Sequence, residues 1–291
     1  MRTANQKGSA FMVLAMAGFT FNDAIIKWIS TSLPLFEVIF LRGLIATTLI
    51  GVMAYYAGVL RFQRSVTHPT LWLRGVMEVG ATFTFLMGLK HMPIGNAIAI
   101  LSSLPLAVTL GAAIFLSEPV GWRRWTAILT GFVGVLIIVR PGFEGFSNAS
   151  LYIVVCVFFV AARDLITRST PKNVASLTLT LMSSVFITVS AGLVAVLTGA
   201  LEPVPMPILS LLVASACIFI VGYYFIIAAA RIGDIAAIAP FRYTGLVWAL
   251  LVGVIFFNDP IDWITILGSA IVVGSGLYTL YREQQHKQMT S

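Results

Sequence analysis

Apolar stretches of about twenty residues alternate along the chain with short clusters of charged, Pro and Gly residues, and a helix of that length spans a hydrocarbon layer about 30 Å thick. The pattern predicts ten such spans: Gly8 to Trp28, Leu35 to Ala57, Thr70 to Lys90, Pro93 to Leu116, Trp122 to Val139, Asn148 to Arg168, Val174 to Gly199, Pro207 to Ala229, Ile235 to Phe257 and Trp263 to Tyr281. Hydrocarbon offers the backbone no hydrogen bonds, so the expected fold is an all-α integral membrane protein of ten transmembrane helices. Pro105 in span 4 and Pro240 in span 9 each remove a backbone hydrogen bond and predict bends, at positions that are not equivalent in the two spans.

Composition strengthens this picture. Of 291 residues, 59% are hydrophobic and 10% charged, with a mean hydropathy of +0.97, whereas a soluble domain carries about a quarter charged residues. The net charge of +7 comes from Lys and Arg set singly or in pairs between apolar runs, which excludes a basic stripe for nucleic acid and speaks of topology instead. The N-terminus, the even-numbered loops and the C-terminus hold Arg2, Lys7, Arg61, Arg64, Arg123, Arg124, Arg168, Lys172, Arg231, Arg282 and Lys287; the opposite face holds Lys27, Lys90 and Arg140. That imbalance puts both termini in the cytoplasm. The first apolar run continues to Trp28 with no convincing small-residue cleavage site and is read as a retained span. Cys156 and Cys217 lie inside apolar runs and indicate neither a disulfide nor a metal site.

Shifting the chain against itself by 141 residues aligns Asp23 with Asp164, Lys27 with Arg168, Phe83 with Tyr224, Lys90 with Arg231, Glu118 with Asp259, Pro119 with Pro260 and Trp122 with Trp263. Charged, Pro and Trp residues are scarce here, so their coincidence marks a repeat of residues 1–140 in 141–291. Five spans per half is an odd number, so the second half enters the membrane from the opposite side. Two inverted halves suit alternating access around a midplane site, because exchanging their packings yields two states of similar energy.

These residues resemble the EamA-type branch of the drug/metabolite transporter superfamily. The resemblance covers the whole chain: Asp23 and Lys27 ending span 1, Phe36-Glu37 and Arg42 in span 2, Pro93-x-Gly95-x-Ala97 opening span 4, Glu118-Pro119 after it, Pro240-x-x-Tyr243 in span 9 and Asp259-Pro260 after that. It implies a multi-pass secondary transporter of a small organic solute in a bacterial inner membrane, without a cofactor. Members that look like this carry amino acids, carboxylates, riboflavin, S-adenosylmethionine or toxic organics, so the resemblance leaves the substrate open. It also implies that spans 1 to 4 and 6 to 9 surround a cavity while spans 5 and 10 pack peripherally. Gly131, Gly134, Gly268, Gly274 and Gly276 there suit close helix contact and offer a homodimer face through spans 5 and 10.

Charges inside spans carry the functional expectations, since each is costly in hydrocarbon. Those shared by both halves, Asp23 with Lys27 and Asp164 with Arg168, read as gates or scaffold, as do the bends at Pro105 and Pro240. Those that break the repeat read as the solute site: Arg42 aligns with Ser183, Glu78 with Phe219 and Arg242 with Leu101. The arginines suit a carboxylate, and Glu78 is the candidate for proton coupling. Phe83, Tyr223, Tyr224, Tyr243 and Trp248 are candidate walls for an organic solute, and Asn22, Asn96, Ser102 and Ser103 candidate hydrogen-bonding groups. Competing pairings are Arg74 with Glu78, Arg42 with Asp23 and Arg242 with Asp164. An intramembrane enzyme or sensor is the different-class alternative. The sequence shows no catalytic constellation, no metal-ligand spacing on one helix, and only short tails.

Overall fold

A computed structural model describes residues 2–58, 68–118, 121–141, 147–168, 175–232 and 235–290. The helices are α1 (Arg2–Ile29), α2 (Leu35–Tyr56), α3 (Pro69–Lys90), α4 (Ile94–Leu101), α5 (Leu104–Phe115), α6 (Trp122–Val139), α7 (Asn148–Arg168), α8 (Ser176–Leu197), α9 (Met206–Ile232), the single turn α10 (Ile235–Ile238), α11 (Thr244–Phe257) and α12 (Trp263–Thr290). Among the described residues there is no strand, and nine helical stretches are long and apolar enough to cross a bilayer. The tenth expected span, α3, has 22 residues but carries Arg74, Glu78 and Lys90, so its length serves and its hydropathy does not.

Two expected continuous spans are interrupted. Span 4 divides into α4 and α5 at Ser102 and Ser103, where Pro105 has no N–H to continue the ladder and the Ser103 N–H turns to the Ile100 carbonyl at 3.0 Å. Span 9 narrows to a 3₁₀ segment, Ala239–Tyr243, with Pro240 in its first turn. One interruption is a turn and the other a tightened stretch of helix. Two other helices outrun their apolar runs, α1 beginning at Arg2 and α12 continuing to Thr290, because polar residues outside hydrocarbon extend a helix readily.

Helix ends recur at the 141-residue spacing. Gly58 and Gly199 both take a left-handed φ, 66° and 63°, as they close α2 and α8. Ser117 and Asn258 do the same at 53° and 51°, and the N–H groups of the acidic residues that follow, Glu118 and Asp259, cap the Ala112 and Gly253 carbonyls.

The bundle is built from helix pairs: α1 on α9, α3 on α7, α2 on α8, α4 on α11 and α6 on α12. Between α2 and α8 the Thr47 hydroxyl bonds Ser184 at 2.6 Å and Thr188 at 3.1 Å. Between α6 and α12, a Cβ on Gly134 would lie 2.9 Å from the Gly268 carbonyl oxygen, and one on Gly268 2.8 Å from that of Gly134. Those glycines therefore allow close packing within the chain. The core runs through the middle, with Ile26, Ile39, Ile94, Ile100, Ile153 and Leu212 fully buried. Large apolar residues cover the outside, as lipid-facing helices require, with Phe115, Leu197 and Trp263 among the most exposed.

The end of the bundle remote from the chain termini is tied by polar contacts. Lys27 donates to the Met92 carbonyl at 2.7 Å and lies 3.9 Å from Asp259, which accepts the Ile94 N–H at 3.1 Å. Glu37, 1% exposed, accepts the Glu202 N–H at 3.0 Å, and Arg140 pairs with Asp262.

Candidate functional site

A cavity of ≈ 430 Å³ opens between α1, α4, α5, α7, α9, α12 and the 3₁₀ segment. Its position follows from the two interruptions: the split at Ser102 and Ser103 and the narrow segment at Ala239–Tyr243 both border it. Its charged lining is Asp23, Asp164 and Arg242, and its apolar lining includes Met16, Phe19, Leu101 and Leu104. Thr20, Ser102, Thr109, Tyr243 and Thr279 line it too, although the hydroxyls of Ser102, Thr109 and Thr279 already donate to carbonyls of their own helices. The Tyr243 hydroxyl is buried without a hydrogen-bond partner. A second cleft of ≈ 300 Å³ lies between α6 and α12 and has Arg123 as its one charged lining residue.

Of the residues expected at the site, Arg242, Tyr243 and Ser102 line the cavity, and so do Asp23, Asp164 and Pro105 from the gate and bend group. The others do not line it. Glu78 is engaged between α3 and α7, where Arg163 meets one carboxylate oxygen at 2.8 Å and Arg74 the other at 3.4 Å. Arg42 lays its guanidinium over the Phe219 ring, 4.9 Å from the centroid, and its Nε has no hydrogen-bond partner. Phe83 packs edge-on against Phe36, Tyr223 bonds Thr180, and Trp248 rests on Phe21. Tyr224 is 64% exposed on the outside of the bundle. Asn22 bridges Ser215 and Asp23, Ser103 bonds the Ile100 carbonyl, and Asn96 sits in the first turn of α4. Lys27 belongs to the tied end. The Arg168 side chain lies outside the described residues, and Pro240 opens the 3₁₀ segment.

Arg163 escapes a reading of the sequence alone. It forms a two-pronged contact with Asp164, Nε at 2.9 Å and Nη2 at 2.7 Å, while its Nη1 reaches Glu78. Arg74 extends the network to Thr167 at 3.0 Å and to Ser183. A signal for Arg163 does exist: it aligns with the neutral Asn22, so it breaks the repeat just as Glu78 does. Phe19 escapes as well, because an aromatic in an apolar span carries no mark of the face it occupies. Among the described residues, no three His, Cys, Asp or Glu side chains group as metal ligands.

The pattern of the EamA-like transporter family matches residues 6–140 and again residues 147–281. An S-adenosylmethionine uptake transporter of Rickettsia bellii is 28% identical over 286 residues, covering 96% of this chain and 94% of the relative. A riboflavin transporter of Rhizobium johnstonii is 28% identical over 290 residues, covering 97% and 93%. A pseudopaline exporter of Pseudomonas aeruginosa is 28% identical over 275 residues, covering 91% and 93%. A solved crystal structure at 18% identity superposes with a TM-score of 0.62 over 95% of each chain, a likeness of fold alone. With a helical bundle of membrane-spanning length, a charged cavity within it and a family pattern matched in both halves, the chain belongs to the EamA-like transporter family and is a multi-pass membrane transporter, not an enzyme.

Proposed function

We propose that this protein moves a small organic metabolite across a bacterial inner membrane by alternating access of the central cavity, with residues 1–140 and 141–291 acting as inverted halves and both termini in the cytoplasm. The observation that carries this reading is a charged cavity bordered by both halves, lined by Asp23 and Asp164, which are 141 residues apart. The recurring helix ends and the Thr47–Thr188 contact, the latter also 141 residues apart, support the repeat. So does the exchange of partners: α1 packs on α9 and α3 on α7, while the offset relates α1 to α7 and α3 to α9. In the proposed cycle this arrangement is closed at the end tied by Lys27 with Asp259, Glu37 with the Glu202 N–H, and Arg140 with Asp262. The cavity then communicates with the end that bears the termini.

Contacts from two guanidinium groups suit Glu78 as an anchor of α3 on α7 better than as the proton carrier expected of it. A homodimer through α6 and α12 would need their outward faces, since Gly134 and Gly268 face each other inside the chain. A second reading, a cofactor-sized metabolite, is favoured by relatives named for S-adenosylmethionine and riboflavin and by a cavity of ≈ 430 Å³, within the range of about 300–1,000 Å³ usual for drug-sized ligands. The test is uptake and counterflow in proteoliposomes with amino acids, dicarboxylates, S-adenosylmethionine and riboflavin. Movement of one class, lost in Arg242→Ala, is the expected result; no movement of any solute by the parent protein overturns the transport reading.

A further inference from the structure

We propose that Asp23 is the cation-binding group of the cavity and that, with Arg242 as its opposite pole, it selects a solute carrying both a positive and a negative group. The proposal rests on the transport reading above and adds the charge pattern of the solute.

The case begins with two aspartates that the repeat makes equivalent and the environment makes different. Asp164 is held by Arg163 through contacts of 2.9 and 2.7 Å. At the equivalent position beside Asp23 stands Asn22, whose neutral amide gives one hydrogen bond of 2.9 Å. The other nearby cations are turned elsewhere. Lys27, one helical turn along α1, sends its ammonium to the Met92 carbonyl and to Asp259, and sits over the Phe257 ring. Arg42 is close enough for its charge to act on Asp23, but its guanidinium lies over Phe219. Among the described residues Asp23 therefore makes no ion pair. A carboxylate facing a cavity inside hydrocarbon with one neutral donor is costly unless a proton or a visiting cation joins it.

Arg242 is the complementary case. It lines the same cavity and, among the described residues, makes no ion pair. Lys27 lies over the Phe257 ring, so at about 1.5 Å per residue Asp23 lies about 6 Å and Arg242 about 22 Å from that level of the bundle, leaving about 16 Å between their backbones in depth, a gap that the long Arg242 side chain can narrow. Met16, Phe19, Leu101 and Leu104 supply apolar surface around the two charges. A carboxylate and a guanidinium so separated match an extended zwitterion with an apolar or aromatic body.

The test compares parent, Asp23→Asn and Arg242→Gln in proteoliposomes, using phenylalanine, phenylalanine methyl ester, N-acetylphenylalanine, S-adenosylmethionine and riboflavin as probes. Folding of each variant is checked by size-exclusion profile and thermal unfolding. The proposal expects the parent to move a probe bearing both charges, with KM raised about tenfold or more in Asp23→Asn and in Arg242→Gln. It also expects the ester to depend on Asp23 and the N-acetyl compound on Arg242. If the parent moves only neutral or anionic probes, and Asp23→Asn moves them equally well, the proposal is overturned while the transport reading stands. If a zwitterionic probe moves with unchanged KM in folded Asp23→Asn, the proposal is likewise overturned. If the parent moves no probe, the transport reading fails and the proposal with it.

Discussion

Lys27→Met removes the ammonium that ties the end of the bundle remote from the termini while keeping a stem of similar volume. Lys27 holds the Met92 carbonyl at 2.7 Å and stands 3.9 Å from Asp259, and the two side chains are only 11% and 19% exposed. A hydrogen bond from a charged donor contributes about 1.5–3 kcal/mol. At an effective dielectric of about 20, two unit charges 3.9 Å apart attract by about 4 kcal/mol, most of which offsets their desolvation. A net loss of about 3 kcal/mol from the closed arrangement corresponds to about a hundredfold change in the ratio of two states. In the proposed alternating-access cycle that arrangement belongs to one state, so Lys27→Met is expected to populate the form open at this end. Spin labels at Thr31 and Ile261, two loop positions of that end in opposite halves, with Cys217 replaced by Ser, report the opening as a longer second distance. Asp259→Asn added to Lys27→Met is expected to shift the distribution little further, because the two residues share one interaction. An unchanged distance distribution in Lys27→Met refutes the reasoning.

Glu78→Ala leaves Arg74 and Arg163 without the carboxylate they share and is expected to lower stability by about 3–5 kcal/mol, read by unfolding in bicelles, with Glu78→Gln milder. Tyr243→Phe removes a hydroxyl that is buried without a partner; stability is expected to hold or rise, and a stability loss contradicts the assignment. Gly134→Ala places a Cβ 2.9 Å from the Gly268 carbonyl and is expected to cost about 1–3 kcal/mol. Gly274→Ala, with nothing within 4 Å of its Cβ, serves as the control and is expected to unfold at or slightly above the parent temperature, since Ala is the better helix former.

Much of the architecture is legible along the chain, because hydropathy and span length are properties of consecutive residues. The spans expected at 122–139 and 148–168 coincide with α6 and α7 to the residue. Pro105 and Pro240 announce the interruptions of spans 4 and 9, since a missing N–H is a local fact. The charges are legible as present and unreadable as partners. Asp23 and Lys27 have the spacing of a pair on one helix, yet Lys27 reaches Met92 and Asp259. Arg42 turns to Phe219, and Glu78 takes Arg163 from another helix in addition to its neighbour Arg74.

The physical reason is rotational. Each residue turns the helix by about 100°, so a small rotation of one helix against its neighbour selects which side chain faces the cavity, a partner or lipid. The spans, the 141-residue recurrence and the membership of a transporter family are written in the order of the residues. The partners are not, because they depend on how α1 lies on α9 and α3 on α7. It is that packing which brings Glu78 to Arg163, and leaves Asp23 facing the cavity with an amide for company.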